Sequence, residues 1–141
     1  MNKNVKFKIV GFLLLLIVGG GIFVGFMFNK PHTNVATSSA DITVAAKDLF
    51  ADFENDEVIA NGKYLDQIIQ VTGPVIKVTT VKDQMIVSIG DKQNFGSVKC
   101  HLTLAETQKK YVLKEGQTVT LKGICTGYLM DVILVKAVLV N

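Results

Sequence analysis

The chain has 141 residues, with fifteen lysines, no arginine, twelve acids and a formal net charge of +3. Lys3, Lys6, Lys8 and Lys30 stand near the N-terminus and every acid lies from Asp41 onward, so eleven lysines face twelve acids in the rest of the chain. The positive balance is therefore local to the N-terminus and is no nucleic-acid footprint, and the lack of Arg removes the usual bidentate donor to phosphate and guanine.

Ile9 to Phe28 are twenty consecutive residues without a charge. As a helix they span roughly 30 Å, the thickness of a bilayer's hydrocarbon core. A cleaved signal peptide has an apolar core of about 7–15 residues with small residues close behind; here the nearest small cluster, Ser38-Ser39-Ala40, lies well past the run. No Cys closely follows it for lipid attachment. Residues 9–28 are thus expected as an uncleaved single-pass anchor. Three lysines before the run and Lys30 alone after it predict residues 1–8 in the cytoplasm and the rest outside. The expected location is the cytoplasmic (inner) membrane, with an extracytoplasmic or periplasmic domain. Gly21 and Gly25 have the G-x-x-x-G spacing that lets two helices approach closely. Self-association through the anchor is one reading of them; the ordinary abundance of Gly in membrane helices is the other.

Residues 29–40 are short, polar and small, and read as a tether. Residues 41–66 read as a helical segment: Asp41 as N-cap, then Val44, Ala45, Leu49 and Phe53 at helical spacing, then Val58 and Ile59 before a stop at Asn61-Gly62. Asp52, Glu54, Asp56 and Glu57 lack the spacing and central Gly of a calcium loop and read as a solvated face.

From Gln67 the period changes to two. Ile69 and Val71 share a face, the phase slips at Gly73-Pro74, and Ile76, Val78 and Thr80 follow. A Gly-Pro there predicts a bulge or bend. After a turn at Lys82-Asp83-Gln84 come Met85, Val87 and Ile89 on a second strand, then a loop from Gly90 to Gly96 carrying Phe95. Val98, Cys100 and Leu102 make a third. Thr103 and Glu106 have capping-box spacing for a short helix. Val119, Leu121, Gly123 and Cys125 alternate on a fourth strand, and Ile133, Val135, Ala137 and Leu139 on a fifth after a turn at Gly127–Asp131.

A helical segment, three strands, a short helix and two strands describe a mainly β five-stranded OB-fold barrel at residues 67–141. Closure explains why every strand is apolar on one face, and the bend lets a small barrel close. The stretch from Phe53 to Tyr64, Val71-Thr72-Gly73, Gly96 to Cys100, Gly116-Gln117-Thr118-Val119 and Gly123 to Val132 is similar to the tRNA-anti-like family of OB-fold proteins. The resemblance spans about Leu49 to Val140. It implies an OB fold, often set behind a membrane anchor or signal, and does not imply tRNA binding. Family members often carry a further Cys near the last strand, where this chain has Ala137, so no cysteine-based role carries over.

OB barrels bind ligands on the face of strands two and three and on neighbouring loops. Lys99 and His101 fall on that outward face, with Phe95 beside it and Tyr128 in the last loop. Several stacked aromatics in a basic groove mark single-strand binders; Phe95 and Tyr128 are a thin supply. No G-x-S-x-G, H-E-x-x-H or Walker sequence occurs, His32 lies in the tether, and no catalytic site or cofactor is expected. A zinc site needs three or four converging ligands, and His101 points away from its neighbour Cys100. The leading expectation is a membrane-tethered binding module for a protein partner, small ligand or glycan in the envelope. The alternative is an envelope structural domain stabilised by a Cys100–Cys125 disulfide; buried reduced thiols are the other reading of that pair.

Overall fold

The computed structural model describes residues 2–28 and 33–140, in two compact units, Met1–Thr33 and Asn34–Asn141. The first unit is one helix, α1 (Lys3–Phe28), long and apolar enough to cross a membrane. Gly21 and Gly25 lie about one turn apart on it. Residues 29–32, with Lys30, His32 and the start of the expected tether, lie outside the described residues.

The second unit is built on strands β1 (Ile42–Ala45), β2 (Ile68–Val81), β3 (Gln84–Ile89), β4 (Val98–Leu102), β5 (Thr118–Leu129) and β6 (Asp131–Val140). Its helices are α2 (Ala46–Asn55), α3 (Glu57–Tyr64) and α4 (Leu104–Gln108). Strand neighbours run β1-β2-β3-β4-β6-β5, and β2 pairs with β5 again. The long β2 thus serves β5 with its first half and β3 with its second, closing a five-stranded barrel. Ile69, Val71, Val75, Val87, Ile89, Val98, Leu121 and Leu134 fill the interior. Leu49, Phe50 and Phe53 of α2 complete the same core. Each fully buried Leu, Ile, Val or Phe contributes about 1.5–3 kcal/mol.

Several expectations shift. Asp41 does not cap a helix: its carboxylate accepts the Ile68 N–H at 2.8 Å and its own N–H donates to the Ile68 carbonyl. That pairing starts a sixth strand, β1, parallel to β2, so the helix begins only at Ala46. Gly62 does not end a helix; it lies within α3, which is capped by Asp56, whose side chain accepts the Ile59 N–H. In β2 the register slips between Val75 and Lys77, beyond Gly73-Pro74. Gly73 stays inward because a Cβ there would stand 2.7 Å from that of Ala46.

In β6 the inward face is Val132 and Leu134, not Ile133 and Val135. A bulge with Lys136 at φ 51° then turns Ala137 inward. The capping box is half made: Thr103 accepts the Glu106 N–H, while the Glu106 carboxylate turns inward to Lys109, Tyr111 and the Leu139 N–H.

The described part of the expected tether is not free chain. Val35 is 2% exposed in a cluster with Ile68 and Val138, and Lys122 donates to the Ser38 carbonyl at 2.7 Å.

Candidate functional site

Three of the four ligand candidates meet at one end of the barrel. The β3–β4 loop and the β5–β6 turn touch: a Cβ on Gly96 would collide with the Met130 carbonyl and lie 2.5 Å from the Phe50 ring. Lys99 reaches the same turn, its ammonium 2.6 Å from the Asp131 carboxylate. Asp131 also accepts the Ser97 N–H at 2.7 Å and the Ser97 hydroxyl at 2.9 Å. Burial works to raise the Asp131 pKa, but Lys99 and both Ser97 donors outweigh it and hold the carboxyl below its ordinary value. Lys99 is thus the clasp between two loops rather than a free cation.

Tyr128 lies half-buried, stacked on Phe53 at 5.7 Å between centroids and edge-on to Phe50 at 6.1 Å. It is packing first, with one side on a groove shared with Glu57, Asn61 and Leu65. Phe95 is fully exposed, and Leu129 and Met130 beside it are 84% and 76% exposed. Met130 holds φ 62°, a left-handed conformation costly for a side chain of its size.

His101 is not part of this end. It faces Ile86 across the β3–β4 ladder and lines a separate groove with Val81, Lys82 and Gln84. Burial, then the nearby Lys99 charge, lower its pKa, so it is neutral at pH 7.

Cys100 and Cys125 are free, buried thiols. Both register against Leu134, one from each side of β6. Two strand spacings put their backbones about 9–10 Å apart, beyond the roughly 7 Å that a disulfide tolerates. The bond left open by sequence is therefore corrected to two thiols separated by a strand. Burial raises both pKa values; at Cys125 the Gly127 N–H partly offsets it. Among the described residues no three His, Cys, Asp or Glu side chains come together as metal ligands.

One surface has no counterpart among the sequence candidates. Where β2 bends, a groove of about 560 Å³ opens over Thr72, Pro74 and Ile76, with Lys47 and Lys92 among its lining. Its polar edge is uneven: Lys92 pairs with Glu115 at 2.8 Å. Gly90 and Gly116, at φ 145° and 83°, take the backbone round two of its sides. Gly73-Pro74 was the visible signal; what lay hidden was that β1 and β3 both end beside the same bend.

The fold is similar to that of a candidate nucleic acid-binding lipoprotein from Klebsiella pneumoniae, with 16% identity over 79% of this chain and 100% of that one, at a TM-score of 0.52. Weaker likenesses are to the S. pombe Stn1–Ten1 complex (TM-score 0.41, 11% identity, 52% of this chain and 58% of that one) and to a candidate aspartyl-tRNA synthetase from Leishmania major (0.49, 9%, 79% and 23%). No curated protein matches the chain. The tRNA_anti-like family model matches residues 1–139, which takes in α1 and nearly all of the barrel; the chain belongs to the tRNA_anti-like family.

Proposed function

We propose that the chain is a non-catalytic binding module, anchored by α1 in the cytoplasmic membrane with its barrel on the outer side. The groove at the β2 bend takes an extended protein segment or a small ligand there. The observation that carries this reading is the groove: its volume falls in the range of about 300–1,000 Å³ usual for ligand sites, and its walls are strand and glycine-turn backbone that need no rearrangement. Thr72, Pro74 and Ile76 offer an apolar floor, and Lys47 at the rim favours a ligand with an acidic end. The lysines before α1 support the orientation.

The β3–β4 face supports a nucleic-acid ligand poorly. Lys99 is spent on Asp131, His101 is neutral, and Phe95 has no exposed aromatic beside it among the described residues. Single-strand affinity that falls steeply with salt would replace the present reading.

The test is site-specific photocrosslinking in intact cells, with the reactive group at Lys47 and, as control, at exposed Val112. A discrete adduct from Lys47, absent from Val112, is the expected result. An equal pattern from both positions, or none from Lys47, removes the groove as the binding surface.

A further inference from the structure

The end of the barrel where the β3–β4 loop meets the β5–β6 turn carries three large apolar side chains that the folded domain does not use. Phe95 is fully exposed, and Leu129 and Met130 nearly so. They come from two loops locked together by the Lys99–Asp131–Ser97 network and by the contact of Gly96 with Met130, so they form one projecting edge. The charges at its base, Lys99 and Asp131, cancel in an ion pair. Apolar side chains held out on a rigid, locally neutral edge mark a contact surface.

The chain itself indicates the occupant. Val35 is already packed on the barrel, and only six residues of sequence separate it from the end of α1 at Phe28. From Phe28 to Val35 a fully extended chain reaches at most roughly 25 Å. Within the barrel, Ile124, in the cluster that holds Val35, is separated from Met130 by about 20 Å of strand at about 3.3 Å per residue. A connection of at most that length keeps a lipid surface within range of the edge.

We propose that Phe95, Leu129 and Met130 dip into the surface of the bilayer that α1 spans, so that the barrel is docked on its membrane rather than swinging from it. This rests on the reading of α1 as an anchor. The contact is apolar. Glu57 of α3, which shares a groove with Leu129, disfavours a strongly anionic patch, so the partner surface is the interfacial region of a zwitterionic bilayer.

The chain has no tryptophan, so one introduced residue is a sole reporter. The full chain is reconstituted in phosphatidylcholine vesicles as Phe95→Trp, Met130→Trp or Val112→Trp. Val112 is exposed on the connection into the start of β5, opposite the end that bears Met130. Flotation with the vesicles, resistant to carbonate, checks α1 independently. The expected result is flotation of all three, with blue-shifted Trp emission at 95 and 130 that lipids brominated in the upper acyl chain largely quench and high salt does not restore, and water-like, unquenched emission at 112. Placing Leu129→Lys in the Phe95→Trp chain restores most of its emission without moving the melting temperature. Flotation with no quenching at 95 and 130, or equal quenching at all three, overturns the docking; loss of flotation overturns the anchor and the docking with it.

Discussion

A methyl group added at Gly96 meets the Met130 carbonyl and the Phe50 ring, and neither has room to retreat. Gly96→Ala is expected to destabilise the domain by about 1–3 kcal/mol, the usual cost of overpacking, read as a lower melting temperature. Gly62 is the opposite case: nothing lies within 4 Å of its missing Cβ and it sits inside α3. Gly62→Ala should stabilise by about 0.5–1 kcal/mol, since Gly costs that much in a helix interior. At Glu106, burial pushes the pKa up, but Lys109, the Leu139 N–H and Tyr111 together pull it below its ordinary value. A depressed carboxyl pKa contributes stability above the unfolded-state value, lost as pH falls through the folded one. Glu106→Gln is therefore expected to cost about 1.5–3 kcal/mol at neutral pH, where charged hydrogen bonds count. Its difference from the parent chain should shrink as denaturant melts are taken below about pH 4. Of these residues, the sequence showed Glu106 only as half of a capping box. Its partner on β6 is distant in sequence, and so is Asp131 from Lys99. Chain order shows who stands on a face, not who reaches across to it.

At the scale of elements, strands polar on one face were legible and strands apolar on both were not. β4 and β5 bury the alternating residues that period two predicts, because their other faces carry Lys, His or Thr. β6 is apolar on both sides, so periodicity gave no way to choose a phase, and the turn at Met130 set it one residue off. The short β1 was hidden because its four residues also fit a helical stripe. The same β6 explains the thiols: it runs between Cys100 and Cys125. Protein taken from an oxidising compartment should show both thiols free once unfolded and no reaction before, and reductant should leave its melting temperature unchanged. A reductant-dependent melt would contradict that placement. Val35 is the counterpart at the other end of the sequence, a buried residue within a polar stretch that composition marks as tether. Val35→Ala is expected to lower stability by about 1–2 kcal/mol through lost burial, measured by denaturant unfolding of the anchored chain in detergent.

For the whole molecule, a reporter enzyme fused after Asn141 and active only outside the cytoplasm should be active in cells. Reversing the lysine bias, with Lys3, Lys6 and Lys8 neutral and lysines added after α1, should silence it. The barrel architecture was legible from strand count and order, because five strands in that order, each with at least one apolar face, have few ways to bury themselves. The grooves were not, since they arise between elements far apart in the chain.

The barrel closes through β2–β5 and through the parallel β4–β6 pair, both of which wait for the last part of the chain. Until β5 and β6 have left the ribosome, the first half of β2 and the outer edge of β4 have no barrel partner, so non-local pairing makes this a slow closure. A chain that stops before Asp131 is not a smaller barrel but an open sheet with unsatisfied edges, a template for pairing with another chain. For this protein, the hazard of incomplete synthesis is edge-to-edge pairing between truncated copies.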